Sequence, residues 1–261
     1  MTDPRIHERR VLVARQIGRR RRRRLLGLLA VVALVAGGFA VVHSSLLGAR
    51  HVHVSGARHT ARGAIIQAAG LSGAPPLVDV DAAVVARRVE RLPWVATARV
   101  SIAWPSSVAI SITERVPVAA LPLPTAGFAI CDPTGRVLED VVTRPPSLPL
   151  VMGVARVGPP GSHLPASAAE LTAVAGSLPE SMVPRTMAIR PSSAGVEVDF
   201  SSGLVALIGG TGSLSQKFVA LATVLAHGGL SGVGTVDVRV PTAPVLIRKA
   251  SSPIVPGIGG G

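Results

Sequence analysis

Residues 92–117 read LPWVATARVSIAWPSSVAISITERVP, and this stretch decides the fold of the region around it. Apolar and polar residues alternate over 95–103 and again over 107–114, a pattern typical of strands that are buried on one face. The Trp-Pro-Ser sequence at 104–106 predicts the turn that joins them. The stretch therefore predicts a β-hairpin whose apolar face needs a covering layer.

The sequence before the hairpin predicts that covering layer. Residues 51–54 alternate and stop at Gly56, which predicts a short strand. Thr60 is the predicted N-cap of a helix that ends at Gly70. Asp81 is predicted to cap a second helix, in which apolar residues recur at helical spacing. The order β-α-α-β-β places two helices on one face of a three-stranded sheet, which is enough to bury a small core.

The downstream sequence predicts a second α+β domain, so the fold class of the whole chain is α+β with one N-terminal membrane helix. The capping-box pattern Ser167-x-x-Glu170 predicts the start of one helix, and Ser213-x-x-Gln216 predicts the start of another. Alternating apolar residues predict further strands, the last of which is expected to be the final strand of the chain. These strands lie at 128–131, 196–200, 204–208 and 235–240.

The membrane helix is predicted from an uncharged apolar segment, residues 25–42, that follows a run of arginines. As a helix this segment spans roughly 27 Å, and residues 43–47 extend it to the thickness of a bilayer core. A cleaved signal peptide is the alternative, but such a peptide has a shorter apolar region and a small-residue cleavage site. We therefore predict one uncleaved transmembrane helix at 25–47, with the N-terminus in the cytoplasm, where arginines beside a membrane helix remain. The arginines that set this orientation are Arg19, Arg20, Arg21, Arg22, Arg23 and Arg24.

The net charge of +13 is concentrated at the N-terminus, because residues 1–24 hold ten Arg against two acidic residues. Anionic membrane lipids are the predicted partner of this basic tail. The chain has no Tyr, so a basic surface with interleaved aromatic residues is not indicated, and no nucleic-acid binding is predicted. Cys131 is the single cysteine, which excludes an intrachain disulfide and a thiolate zinc cluster.

The order of these elements and several short motifs resemble the bacterial cell-division protein family FtsQ (DivIB). The resemblance covers roughly residues 20–248, and the Trp-Pro and Glu-Arg-x-Pro motifs of the hairpin are its most specific part. The hairpin region contributes Leu92-Pro93-Trp94-Val95, Trp104-Pro105 and Thr113-Glu114-Arg115-x-Pro117. The downstream region contributes Cys131-Asp132-x-x-Gly135, Leu148-Pro149, Lys217 and Val236-Asp237-Val238-Arg239.

The resemblance implies a division of the chain into five parts. An FtsQ-type POTRA domain is expected at 50–118 and an FtsQ-type β-domain at 119–248. These follow the basic cytoplasmic tail at 1–24 and the transmembrane helix at 25–47. Residues 249–261 are rich in Pro, Gly and Ser without apolar periodicity, which predicts a disordered tail.

The resemblance also implies that the last strand docks a segment of the partner FtsB (DivIC). A strand at the edge of a sheet offers unpaired N–H and C=O groups to another chain, and Arg239 is expected to pair with a carboxylate of that partner. In the alternative interpretation the valines of this strand face the core and Arg239 is solvated. The residues assigned to partner binding are Val236, Val238, Arg239, Val240, Thr242 and Val245.

No catalytic, cofactor-binding or metal-binding residue is predicted. A phosphate-binding loop needs Gly directly before Lys, whereas Gln216 precedes Lys217 here. His51 and His53 share one face of a strand, but no carboxylate or cysteine nearby completes a metal site. The chain contains neither Gly-x-Ser-x-Gly nor His-Glu-x-x-His, so the sequence shows no recognised hydrolase motif.

From the resemblance we expect a non-enzymatic, single-pass scaffold of the division machinery, located in the cell membrane at the septum with most of the chain extracytoplasmic. It would link early and late division proteins, bind an FtsB/FtsL-like pair and so control septal wall synthesis. The POTRA-like domain would recruit other division proteins. Two alternatives stay open, a membrane-anchored extracytoplasmic enzyme that acts on the cell wall and a POTRA-type assembly or secretion component.

Overall fold

The computed structural model describes residues 23–40, 42–43, 47–228 and 231–249 of the 261 residues. The predicted orientation residues at 19–22 and the predicted tail beyond residue 249 lie outside these ranges. The chain divides into two compact units, and the predicted domain boundary between residues 118 and 119 stays a prediction. The first unit comprises Met1–Ala57, Ala61–Val89 and Ala98–Ile112, and the second comprises Arg58–Thr60, Glu90–Thr97 and Thr113–Gly261.

Helix α1 (Arg23–Ala40) opens the described chain, and its 18 residues are long and apolar enough to cross a membrane. Its leucine, valine and phenylalanine side chains are exposed, as lipid-facing side chains are. Arg23 and Arg24 are its first two residues, so the basic run continues directly into the helix. It is the one such helix among the described residues, and it is a candidate membrane span near the N-terminus.

The predicted β-α-α-β-β order is confirmed. Strand β1 (His51–Ser55) is followed by helices α2 (Arg62–Ala69) and α3 (Ala82–Val89), then by strands β2 (Val95–Ala103) and β3 (Ser107–Glu114). The sheet order is β1-β3-β2, with β1 parallel to β3. The core of the first unit buries apolar side chains from both layers, including Val52, Ile65, Val85, Val108 and Ile110.

The ends of the two short helices show which predicted caps form. The carboxylate of Asp81 accepts hydrogen bonds from the N–H groups of Ala83 and Val84, at 2.8 and 3.1 Å, as predicted. Gly70 ends α2 in the left-handed conformation, also as predicted. The predicted cap Thr60 is wrong, because α2 begins one residue later, after Ala61, without a side-chain cap.

The second unit is built on a nine-stranded sheet with the order β12-β11-β10-β9-β8-β7-β4-β5-β6. Helices α4 (Ala166–Ser177) and α5 (Leu214–His227) contribute buried side chains to its main core cluster, together with the inner faces of the strands. The strands are β4 (Ala119–Pro122), β5 (Phe128–Cys131), β6 (Val137–Val141), β7 (Leu150–Val151), β8 (Thr186–Ser192), β9 (Gly195–Phe200), β10 (Val205–Gly209), β11 (Val233–Asp237) and β12 (Val245–Arg248).

The helix starts of the second unit differ from the capping-box predictions. Helix α4 begins at Ala166 after Pro165, so Ser167 is already inside the helix and does not cap it. Helix α5 does begin after Ser213, but that residue has a positive φ of 56° and its hydroxyl makes no capping hydrogen bond. Both helices are instead stabilised by the apolar side chains that they bury against the sheet, which for short helices outweighs a cap.

Candidate partner-binding edge of the sheet

Strand β12 lies at one end of the nine-stranded sheet and pairs with β11 on one side. All four of its residues are exposed, and the three apolar ones, Val245, Leu246 and Ile247, keep 54, 47 and 47% of their surface accessible. A strand at this position presents unpaired backbone N–H and C=O groups on its outer side. Together these features make β12 an apolar, open edge within the described part of the chain.

The structure corrects the position predicted for the last strand. The segment predicted at 235–240 is β11, which ends at Asp237 and lies inside the sheet between β10 and β12. After Val240 the chain turns, with the Ala243 N–H donating to the Val240 carbonyl at 3.1 Å, and returns as β12. Proline cannot donate to a ladder, so Pro241 and Pro244 do interrupt pairing. The interruption produces a reversal and a further strand, which the sequence interpretation missed.

The six residues assigned to partner binding therefore fall into two groups. Val236 and Val238 are completely buried and belong to the main core cluster of the second unit, so they do not face an edge. Val240, Thr242 and Val245 are exposed, in the turn and at the start of β12. Leu246 and Ile247, which the assignment did not include, are exposed on β12 as well, and the short apolar run after Pro244 was the sequence signal for that strand.

Arg239, the sixth assigned residue, lies in the turn after β11 and is already paired within the chain. Its Nη2 lies 2.6 Å from the Asp237 carboxylate and its Nε lies 3.0 Å from both carboxylate oxygens. The side-chain hydrogen bond from Arg239 holds the pKa of Asp237 below its usual range. Half of the Arg239 side chain stays exposed, so the guanidinium braces the turn while remaining accessible at the surface.

Side chains on β12 alternate between the two faces of the sheet. Leu246 is paired with Val236, and directly opposite residues of an antiparallel pair share a face. Val236 packs in the same core cluster as Phe218 of α5, so Leu246 lies on the face that α5 covers.

Helix α5 also buries a charged residue that the apolar pattern did not predict. Lys217 is 6% exposed, and its ammonium donates hydrogen bonds to the carbonyls of Ile208 and Gly210, at 2.9 and 2.7 Å. Burial lowers the pKa of Lys217. The side chain ties the start of α5 to the end of β10, which explains its place in the segment that resembles a phosphate-binding loop.

The Thr-Glu-Arg-x-Pro motif forms a polar network within the second unit. Glu114 accepts hydrogen bonds from the backbone N–H groups of Arg58, His59 and Thr60 and from the His59 ring, all at 2.9–3.2 Å. Burial alone would raise the pKa of Glu114, but the hydrogen bonds from His59 and the three backbone groups outweigh it and lower the pKa to about 2. Glu114 is therefore an ionised anchor for the 58–60 loop.

Arg115 continues this network. Its Nη1 donates to the carboxylate of Asp132 at 2.7 Å, and the same carboxylate accepts from the N–H groups of Thr134 and Arg136. Burial opposes ionisation of Asp132, yet the hydrogen bonds from Thr134, Arg115 and Arg136 hold its pKa below the usual value. Among the described residues, no group of three or more His, Cys, Asp and Glu is arranged to hold a metal ion. The contacts of Glu114 and Arg115 therefore give the Thr-Glu-Arg-x-Pro motif a structural role.

Sequence comparison defines the class of this protein. Residues 47–115 match the model of the FtsQ-type POTRA domain, and the candidate membrane helix precedes them, so the chain is a POTRA-bearing protein with an N-terminal candidate transmembrane helix. The chain belongs to the FtsQ family of cell-division proteins. The cell division protein FtsQ of Mycobacterium tuberculosis (strain ATCC 25618 / H37Rv) is 33% identical over 86% of this chain and 69% of its own length. That of Streptomyces collinus is 31% identical over 88% of this chain and 90% of its own length.

Other relatives are covered less completely. The cell division protein FtsQ of Mycolicibacterium smegmatis is 32% identical over 84% of this chain, which spans only 62% of that protein. Among solved structures, the major extracytoplasmic domain of DivIB from Geobacillus stearothermophilus aligns with 44% of this chain and 98% of its own, with 21% identity and a TM-score of 0.32.

Proposed function

We propose that this protein is a non-enzymatic scaffold of the bacterial division machinery that binds an FtsB/FtsL-like pair through the open edge of strand β12. The observation that carries the proposal is that β12 combines an unpaired backbone edge with three exposed apolar side chains. A partner strand that adds to such an edge gains backbone hydrogen bonds along its length, and alternate side chains supply specificity. In this role the protein links early and late division proteins and controls septal wall synthesis.

The backbone geometry of β12 indicates which groups a partner would meet. The Lys249 N–H donates to the Gly232 carbonyl at 2.8 Å, on the side of β11. Because the N–H and C=O groups of a strand point alternately to its two sides, those of Arg248 and, two residues earlier, Leu246 point to the open side. Each backbone hydrogen bond that a partner strand makes there is worth roughly 0.5–1.5 kcal/mol net.

The side chains of β12, on the two faces of the sheet, supply specificity for the partner. Leu246 on the α5 side and Val245 and Ile247 on the opposite side offer an apolar contact to a partner on either face of the sheet. Arg239 lies in the turn beside the edge and adds a cation that a carboxylate of the partner can share with Asp237. The proposed partner segment is therefore an extended apolar strand with an acidic residue near one end.

The proposed topology places this edge outside the cytoplasm. Arg23 and Arg24 precede the apolar part of α1, and the sequence adds four more arginines before them. Arginines beside a membrane helix remain in the cytoplasm, where anionic lipids also attract them. The POTRA domain and the nine-stranded sheet are then extracytoplasmic, where the POTRA domain recruits other division proteins at the septum.

A titration of the full-length protein with an FtsB-like protein from the same bacterium tests the edge. Leu246→Pro removes one outward N–H and blocks the ladder, whereas the matched control Leu246→Ala removes only the side chain. We expect the proline variant to lose at least about tenfold more affinity than the alanine variant, which corresponds to about 1.4 kcal/mol. Equal losses would mean that the partner does not pair with the β12 backbone.

Imaging tests the cellular role separately. An N-terminally tagged copy should form a band at the division septum, and depletion should stop division. An even distribution around the envelope with normal division would contradict the scaffold role, whatever the affinity for an isolated partner.

A further inference from the structure

Two exposed apolar side chains lie at the same end of the first unit. Outside α1, the described residues of this unit expose two large apolar side chains, Val78 at 47% and Trp104 at 58%. Single exposed apolar side chains are common on protein surfaces, so their position decides whether they matter. Both of these lie beside the chain that leaves the membrane helix.

Val78 belongs to the single turn of 3₁₀-helix at Leu77–Asp79. The residue before this turn, Pro76, forms an antiparallel bridge with Gly48. Residues 71–78 carry no charge, and the carboxylate that ends the turn, Asp79, lies 3.7 Å from the His43 ring. The turn thus exposes one apolar side chain, Val78, and is held against the segment that connects α1 to β1.

Trp104 belongs to the tip of the hairpin between β2 and β3. The His51 N–H donates to the Ser106 carbonyl at 3.1 Å, and His51 is paired with Ser107 at the start of β3. The hairpin tip therefore lies beside the first residue of β1, at the end of that strand that follows the membrane helix. Tryptophan in such a place is typical of the membrane interface, where its apolar ring and polar N–H both find partners.

The short connection limits how far these turns lie from the bilayer. The His43 N–H donates to the Phe39 carbonyl of α1 at 3.1 Å, and its Nε2 lies 3.7 Å from the carboxylate of Asp79. Gly48 follows five residues later, at most about 18 Å along a fully extended chain. The 77–79 turn thus lies directly at the end of the membrane helix.

We infer that Val78 and Trp104 form a lipid-contact rim that seats the first unit on the boundary between headgroups and acyl chains, in the leaflet where α1 emerges. Arg50 is exposed in the same connection and supplies a cation for lipid phosphate. Two contacts beside a helix that already crosses the bilayer restrict the tilt of the first unit relative to the membrane plane. The inference rests on the membrane span of α1 and is independent of the partner bound at β12.

A probe at position 78 tests the rim in the full-length protein reconstituted in phosphatidylcholine vesicles. Val78→Cys is labelled with an environment-sensitive nitrobenzoxadiazole dye, and Ser111→Cys is the matched control. Ser111 is exposed and pairs with Ser55, roughly 13 Å further along the strands than the His51 pair. Native Cys131 stays unlabelled because it is buried, and burial together with Asp132 and Asp140 raises the pKa of its thiol to about 12.

We expect phosphatidylcholine that carries a headgroup nitroxide to quench the dye at position 78 several-fold more strongly than the dye at position 111. Equal quenching at the two positions overturns the rim, whether both are accessible to the nitroxide or neither is. Both positions are on the surface, so the labels do not disturb the core.

The intrinsic fluorescence of Trp104 gives a second measurement. The other tryptophan, Trp94, is buried, so brominated acyl chains should quench the emission of the native protein only through Trp104. In the Trp104→Phe variant the brominated acyl chains should no longer quench the tryptophan emission, which then comes from Trp94 alone. If native protein and variant are quenched equally, the hairpin tip does not contact lipid. No partner protein is present, so failure of binding at β12 leaves this result unchanged.

Discussion

The two edges of the nine-stranded sheet differ, because the β6 edge is protected and the β12 edge is exposed. At one edge, β6 presents Glu139 and Asp140, and its first residue Val137 exchanges hydrogen bonds with the 161–162 segment. Charge and a covering segment are both ways in which proteins prevent unwanted strand pairing. At the other edge, β12 exposes three consecutive apolar residues, and no covering segment is found among the described residues.

This difference favours β12 as the edge that is available for pairing with a strand of another protein. An open apolar edge is an aggregation hazard, so a protein that protects one edge and leaves the other exposed gains something from the exposed one. In a membrane-anchored division protein the gain we propose is strand addition by a partner. The comparison yields four predictions, which change the protection of β6 or the openness of β12.

Loss of the Asp132 carboxylate should have the largest effect, because it holds the turn that leads into β6. Asp132→Asn leaves Arg115 without its buried counter-charge, and we expect a loss of about 3 kcal/mol in the free energy of unfolding. The folded-state pKa of Asp132 is depressed, so its contribution is complete above its unfolded pKa and is lost as the pH falls below about 4. Urea unfolding at neutral and acid pH measures both effects.

The control for this variant is Asp140→Asn, at an exposed position of β6. It should change the free energy of unfolding by less than about 0.5 kcal/mol. A stability of the Asp132→Asn variant that equals the native value at neutral pH would contradict the role given to the network.

Uncovering β6 should have the next largest effect. Gly161 has a φ of +91° and its N–H donates to the Val137 carbonyl at 2.7 Å. Gly161→Pro is incompatible with the positive φ and removes the N–H donor, and we expect a loss of roughly 2–4 kcal/mol in the free energy of unfolding. The variant should also expose the β6 edge to self-association. Unfolding in urea and light scattering measure these two outcomes.

Gly161→Ala keeps the N–H and should cost only about 1–2 kcal/mol, for the left-handed backbone alone. If the proline variant remains monodisperse, the acidic side chains of β6 protect the edge without the covering segment.

A charge on β12 should make this edge resemble the protected one. Ile247→Lys places a cation among the exposed apolar residues, and we expect about tenfold weaker binding of an FtsB-like protein with little change in unfolding, because position 247 is exposed. The opposite change, Asp140→Lys on β6, should leave affinity unaltered. Isothermal titration with both variants tests whether binding is specific to the β12 edge.

The smallest effect is expected at Arg239. Arg239→Gln removes a half-exposed cation beside the edge, and water and salt screen such an exposed ion pair, so its contribution is small. Affinity for an FtsB-like protein should be a few-fold below that of the native protein at low salt and close to that of the native protein at the same high salt concentration. An equal loss at both salt concentrations would show that Arg239 contacts the partner by packing and not by charge.

Local patterns predicted the first unit well because its elements are specified by neighbours in sequence. The hairpin bounds at 95–103 and 107–114 match the observed strands residue for residue. Alternation and a turn are properties of consecutive residues, so they are legible in the sequence. Trp94 nevertheless lies within the stretch expected to form the POTRA domain, whereas its side chain packs with Ala120, Ile130 and Leu138 in the second unit. Periodicity shows that a side chain is buried, but not against which partner.

The position of the last strand was predicted less well, because it depends on the order of strands in the sheet. The alternating segment at 235–240 was expected at an edge as the last strand, but four further residues pair outside it. A strand as short as β12 has too few residues for periodicity to be distinctive. Partner-binding residues were therefore expected on β11, where Val236 is in the core, and the exposed residues Leu246 and Ile247 of β12 were not among them.

The sequence by itself determined the membrane helix, the β-α-α-β-β order and the α+β class, since these follow from apolar length, periodicity and turn residues along a continuous chain. Only the tertiary structure decided which strand lies at the open edge, that Arg239 is paired with Asp237, and that Val78 and Trp104 are exposed on turns whose neighbouring residues contact the chain after the membrane helix. The physical reason is that exposure and pairing are set by residues far away in sequence, which pack a given face or leave it free.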